Sequence, residues 1–379
     1  MADWKASLKI IEGTGLFLGM LIGAGIFALP YSFLKGGFFW SLFLFAVVFF
    51  LSLILHYLYA GVICATPGKH RFAGYARRHL GVFAEKISLV FTFISFEGAM
   101  LAYGVLGGIF LNVILSISFL KGGLLFLFAG GFLFLLPLAS VGGIDFILTV
   151  LLFGFVSFLS LKLGAVFEAS NLFISGPRDY FFPYGVFLFA FGAYSALPDI
   201  RDLISASSPA LFKRIIFWGL GFGAFFYLFF TIFVLGASGM AVSEDSFTGL
   251  VGVLGKGVVS VGALIGLLSV FRTYIALGTD LKLAFRYDYS MSEIPSWLLA
   301  FLPSLVLFLF GFTSLSEILR FVGSIGLGVF AIFIILMAWR LREKVSDFLG
   351  FELRAWWLLP LGILVVLGAL QDIFSLIWK

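Results

Sequence analysis

The chain has 379 residues, of which 62% are hydrophobic and only 11% charged, with a mean hydropathy of +1.17. Soluble domains carry roughly 45 to 50% apolar and about 25% charged residues, so lipid is the main solvent here and a soluble enzyme is excluded. The formal charge of +5 sits in short connections between apolar stretches and forms no basic face for nucleic acid.

Crossing a bilayer takes about 20 apolar residues. On that basis the pattern predicts eleven spans, near 8–33, 38–63, 83–115, 122–139, 143–163, 181–205, 212–238, 256–285, 294–312, 315–339 and 354–377. The first is too long for a signal-peptide core, so it stays as a span. Between spans four and five the only turn signal is Pro137 with Gly142 and Gly143. The first span carries Gly25-Ile-Phe-Ala-Leu-Pro30, and the sixth carries Ala193-Tyr-Ser-Ala-Leu-Pro198, 168 positions later (198 − 30). Shifted by that offset, spans one to five fall on spans six to ten. Five is odd, so the second copy enters from the opposite side. The expectation is a single domain over 1–379 built as an inverted 5+5 repeat, 8–163 and 181–339, with an extra helix at 354–377.

Basic residues concentrate in alternate connections, with Lys5, Lys9, Lys69, Arg71, Arg77, Arg78, Lys213, Arg214, Arg340 and Lys344 on one side, which the positive-inside rule makes cytoplasmic. The N-terminus is then inside and the C-terminus outside, in the cell membrane. The connection 65–81 reads as topogenic charge, while 167–180 and 238–250 read as outer loops able to close a site.

A helix broken in mid-membrane exposes amides and carbonyls at several kcal/mol each unless something satisfies them. Gly23 and Gly25 remove side-chain bulk beside such a break, so Ile22, Gly23, Ala24, Gly25 and Ile26 can offer amides to a carboxylate and carbonyls to an ammonium group. The second break offers Gly192 for flexibility, Phe191 and Tyr194 as walls and Ser195 as a hydrogen-bonding group. An amino acid is the small molecule with both charges.

Charges inside the membrane are few. Glu97 in span three and Arg272 in span eight sit at similar depth and are able to pair, and Glu97 is the candidate proton carrier. The alternative is a static ion pair. Ser269 and Thr273 share one face of span eight, either to coordinate sodium or to bond back to helix carbonyls. Trp4, Lys5, Lys9, Glu12 and Asp280 are candidates for an inner gate. Cys64 is the lone cysteine, and His56, His70 and His79, the only histidines, join no metal-ligand cluster, so neither a metal nor another cofactor is expected.

The motif Ile22-Gly-Ala-Gly-Ile-Phe-Ala-Leu-Pro30, with Phe191-Gly192 and Ser195-Ala-Leu-Pro198, resembles the amino acid/auxin permease family of the amino acid, polyamine and organocation (APC) superfamily, and most of all its bacterial aromatic and hydroxy amino acid permeases. Phe271-Arg-Thr273 is similar to a motif of the family's sodium-coupled members. The resemblance implies a LeuT-type fold with discontinuous helices one and six. It also implies substrate held by Gly23, Ala24 and Gly25, a side-chain pocket shaped by Phe191, Gly192 and Tyr194 with Tyr103 added from helix three, and no cofactor. Sodium-coupled members place an asparagine where this chain has Gly19, and relatives place a histidine where it has Tyr194. The expected function is therefore proton-coupled symport of a neutral, hydrophobic or aromatic L-amino acid by alternating access. The alternatives are sodium symport and a membrane sensor that binds without transport.

Overall fold

The computed structural model describes residues 2–135, 142–174, 179–204 and 209–377, with side chains of 2–8, 142–149, 287–288 and 376–377 set aside. All of the regular elements in the described residues are helices. Pro137 lies outside the described residues.

The first predicted span is two helices, α1 (Ala2–Leu21) and α2 (Gly25–Gly36), bent by 57° at the three residues between them. Next come α3 (Phe38–Ala65), a short α4 (Phe72–Leu80), α5 (Val82–Leu115), α6 (Phe119–Leu133) and α7 (Gly142–Gly164). The sixth predicted span is also split, into α8 (Phe182–Ala190) and α9 (Ala196–Ile204). It is followed by α10 (Pro209–Ser238), one turn at α11 (Val251–Leu254), α12 (Lys256–Asp288) and α13 (Glu293–Leu309). The tenth span runs from α14 (Leu315–Phe321) through a π-helical segment, Val322–Leu327, into α15 (Gly328–Arg340). A short α16 (Arg342–Leu349) leads to α17 (Ala355–Ile377).

Among the described residues, six helices are long and apolar enough to cross a bilayer, seven with the bent α1–α2 pair, while 119–133, 150–164 and 293–309 are shorter apolar helices. The expected count of eleven spans is therefore not reached by length and composition; it would need these shorter helices and the split pair α8–α9 as well.

The two split spans meet at the centre. A Cβ on Gly25 would lie 2.9 Å from both Cα and Cβ of Ala190, so the start of α2 touches the end of α8 and only glycine fits there. Around this contact α5 packs along α12, and α1 along α10.

One interior charge is held by carboxylates. The buried Arg320 of α14 donates to Asp372 of α17 at 2.6 Å and to Asp179 at 3.3 Å, tying the last helix to the tenth span and to the approach to α8.

Candidate functional site

Backbone hydrogen bonding fails where the sequence predicts it. After Leu21 the chain leaves the helix: the Ile22 amide still reaches Leu18, but Gly23 donates to Leu21 only two residues back, at 3.1 Å, and α2 begins at Gly25. Amides in the first turn of α2, Gly25 and Ile26 among them, have no acceptor within their own helix, and this end carries the positive pole of its dipole. The second break repeats the pattern. Ala193 donates two residues back to Phe191 at 3.1 Å, and α9 begins at Ala196.

A cavity opens between the breaks. Gly23, Tyr103, Gly192, Tyr194 and Ser195 line it, with Met20, Ala99 and Leu327 adding apolar surface. A Cβ on Gly23 would come within 3.0 Å of the Tyr103 hydroxyl, and one on Gly192 within 2.3 Å of Leu327. Four elements thus converge: the first break, α5, the second break and the π-helical segment. That segment was not foreseen. A π-turn widens a helix locally and recurs at functional sites, and the only hint in the sequence is Gly323-Ser-Ile-Gly326.

Not every predicted residue reaches this cavity. Ile22, Ala24 and Ile26 are buried in the core around the first break, and Gly25 serves the contact with Ala190. Phe191 is fully buried and turned the other way, its ring 5.0 Å from Phe45, 5.7 Å from Phe49 and 5.7 Å from Tyr227. It supports the break from behind. Tyr194 does line the cavity, and its ring stacks on the buried His56 at 4.2 Å. His56 donates from Nδ1 to the Ser52 carbonyl at 2.7 Å, and its Nε2 has no hydrogen-bond partner. Sequence reasoning passed over this histidine, since nothing in span two marks which face meets the second break.

Glu97 and Arg272 take different partners. Pro303 lies inside α13 and has no amide hydrogen to give its helix, and the next amide, that of Ser304, donates to Glu97 Oε2 at 2.9 Å. The other carboxylate oxygen, Oε1, is buried without a hydrogen-bond partner. Arg272 reaches across to α1 and donates to the Gly19 carbonyl at 3.2 Å. Thr273 lines the cavity, but its hydroxyl is spent on the Ser269 carbonyl one turn back, at 3.0 Å. Of the two readings for these hydroxyls, bonding to the helix is the one observed for Thr273.

Further along α2 and α5 from the cavity-lining Gly23 and Tyr103, and not themselves part of the lining, three aromatic rings pack together. Phe27, Phe110 and Phe247 meet at 5.3, 5.4 and 5.6 Å between centroids, and the Ser246 hydroxyl donates to the Phe27 carbonyl at 2.6 Å. Asp245 holds this loop by accepting from the Phe247 and Thr248 amides at 2.7 Å each. The predicted loop 238–250 therefore packs against α2 at Phe27.

The other end is charged. Asp280 lines the cavity there together with Arg71, and Arg71 bonds Asp199 of α9 at 3.2 Å. Partial desolvation works against the charge on Arg71, but the Asp280 and Asp199 carboxylates outweigh it and raise its basicity. Lys69 pairs with Asp202 at 2.8 Å, and Arg201 donates to the Gly68 and Thr66 carbonyls. Asp280 thus shares the cavity wall with Arg71, a residue read from sequence as topogenic charge. Glu12 is exposed and Lys9 half-buried on α1, and neither lines the cavity. Trp4 and Lys5 have side chains outside the described set.

Comparisons with known proteins fit this geometry. MhsT in complex with L-phenylalanine superposes with a TM-score of 0.66 at 16% identity, over 96% of this chain and 98% of that one. MHP1, a nucleobase-cation-symport-1 family transporter in a closed conformation with bromovinylhydantoin bound, gives 0.62 at 12% identity, over 97% and 92%. The Eremococcus coleocola manganese transporter, in complex with an aromatic bis-isothiourea substituted compound, gives 0.58 at 14% identity, over 100% and 95%. The fold is that of the LeuT-type transporters. Curated protein sequences give no match. The tryptophan/tyrosine permease family matches residues 6–371. The molecule is thus a multi-pass membrane transporter and not an enzyme, and by sequence it belongs to the tryptophan/tyrosine permease family.

Proposed function

We propose that the chain carries an aromatic L-amino acid such as tryptophan or tyrosine into the cell together with a proton, by alternating access. The observation that carries this reading is the cavity between the two breaks, which extends from Gly23 and Tyr103 down to Asp280. The positive pole of α2 begins two residues beyond the cavity-lining Gly23, which gives that wall the polarity a carboxylate needs, and the wall of Ala99, Tyr103 and Leu327 suits an apolar side chain. Membership of the permease family supports the aromatic class. The cytoplasmic side is taken to be the Arg71–Asp280 end, from the distribution of basic residues.

Arg272 supports proton rather than sodium coupling. Its guanidinium places a permanent charge on the Gly19 carbonyl, at the position where sodium-coupled members have an asparagine, and a fixed cation there makes a mobile one redundant. Glu97 is the proton carrier in this reading, with one oxygen held by Ser304 and the other without a partner.

The test is uptake of labelled L-tryptophan and L-tyrosine into proteoliposomes under an imposed proton or sodium gradient. Accumulation should follow the proton gradient with sodium absent. Accumulation that needs sodium and ignores the proton gradient would refute the coupling. Glu97→Gln keeps an acceptor for the Ser304 amide, so the fold should survive while the pH dependence of uptake flattens. An unchanged pH profile would make Glu97 a structural clasp between α5 and α13.

A further inference from the structure

Tyr227, in the middle of α10, is fully buried, and its hydroxyl oxygen lies 2.6 Å from the Leu21 carbonyl oxygen and 3.0 Å from that of Ala190. Leu21 is the last residue of α1 and Ala190 the last of α8. Each carbonyl therefore ends a half-helix, at the negative pole of its dipole. The two positions are 169 apart (190 − 21), within one residue of the 168-residue offset between the repeated motifs, so a single hydroxyl touches matching points of the two breaks.

A phenol has one hydrogen to donate, yet two carbonyl oxygens converge on it. In broken-helix carriers, carbonyls at half-helix ends are where coupling cations are coordinated. The ring cannot easily leave this place, because Phe191, the first residue beyond α8, packs edge-on against it at 5.7 Å.

We infer that the Tyr227 hydroxyl takes the part of a bound cation: it ties the carbonyl ends of the two half-helices together and so sets the spacing of the breaks across the cavity. It is a positioning residue. It acts on substrate through Leu21 and Ala190, and it makes an alkali-metal ion unnecessary at this point. The inference rests on the amino acid carrier reading above and adds to it a second place, separate from Arg272, where a protein group stands in for an ion.

Tyr227→Phe removes the hydroxyl and keeps the ring. Both carbonyls then lose the hydroxyl that joins them, the Leu21 carbonyl keeping only the short-range contact from the Gly23 amide at 3.1 Å, and a small cation becomes the best available partner to bridge them. The experiment measures the KM for L-tryptophan uptake under an imposed proton gradient, for wild type and variant, in sodium chloride and in choline chloride. The expected result is a wild-type KM that is the same in both salts, and a variant KM raised about tenfold in choline and lowered again by sodium. A variant with wild-type KM in choline overturns the inference. So does a loss that sodium fails to relieve, including failure to fold in both salts, since that assigns Tyr227 to packing alone. Wild-type protein that binds substrate without moving it would unseat only the carrier reading, because the same salt comparison is then read by substrate-induced thermal stabilisation.

Discussion

Two regions flanking the cavity are built from opposite kinds of chemistry. At the Phe27 end three rings and one hydroxyl-to-carbonyl bond make an apolar plug, whereas at the Asp280 end Arg71, Asp199, Lys69 and Asp202 stand in partly exposed ion pairs. Packed rings interdigitate and resist opening until they separate together. Exposed ion pairs are worth about 0–1 kcal/mol each and exchange readily with water. Separation is therefore costly at the Phe27 cluster and cheap at the Asp280 end, the asymmetry expected if the proposed carrier faces the Asp280 side.

The largest effect should come from the point where both ends hinge. Gly25→Val places a branched side chain against the Ala190 backbone at a contact already at 2.9 Å for Cβ alone. Backbone cannot yield as a side-chain tip does, so uptake should fall by about 100-fold or more. Size-exclusion chromatography of the detergent-extracted protein should still show an intact monodisperse peak; a variant that transports normally would mean that the breaks move independently.

Next comes the plug itself. Phe247→Ala removes a buried ring that packs on both Phe27 and Phe110, at a cost of about 3–5 kcal/mol to the state in which that end is shut. Uptake should drop by at least about tenfold as the population shifts. A cysteine placed at Ala99, with Cys64 replaced by alanine, should become reactive to an impermeant maleimide added from the Phe27 side. Labelling no faster than in the parent protein would show that the rings do not form the barrier.

Much of this was legible in the sequence. The breaks could be read because the bilayer leaves so few uses for a Gly-rich, Pro-terminated interruption in an apolar run, and the long helices could be read because hydrocarbon thickness fixes their length. Rotation about each helix axis was not legible. A helix apolar on every side gives no stripe to orient it, so Phe191 was expected in the pocket and instead packs behind it. Equal depth suggested that Glu97 and Arg272 meet, but depth says nothing of facing, and each found a backbone partner on another helix. Tyr227 carried no signal at all, as one of 12 tyrosines in a chain with 52 phenylalanines. The short helices α4 and α16 are polar and brief, so a search for apolar runs passed over them.

The smallest expected effect lies at the charged end, and it is the sharpest measure of the contrast. Arg71 and Asp199 bond at 3.2 Å with 60% and 50% of their side chains accessible, so screening by water and salt leaves little net energy in the pair. Arg71→Ala and Asp199→Asn should each change the rate of uptake by less than about fivefold. The coupling between them in a double-mutant cycle should be below about 1 kcal/mol and should shrink further as ionic strength rises. Asp280 makes the cycle asymmetric: removing Arg71 leaves two carboxylates facing each other, whereas removing the Asp199 charge leaves Arg71 with Asp280 still beside it, so the arginine variant should be the slower of the two. A coupling of several kcal/mol would place this end on the same footing as the aromatic plug, and the cavity would then be gated equally at both mouths.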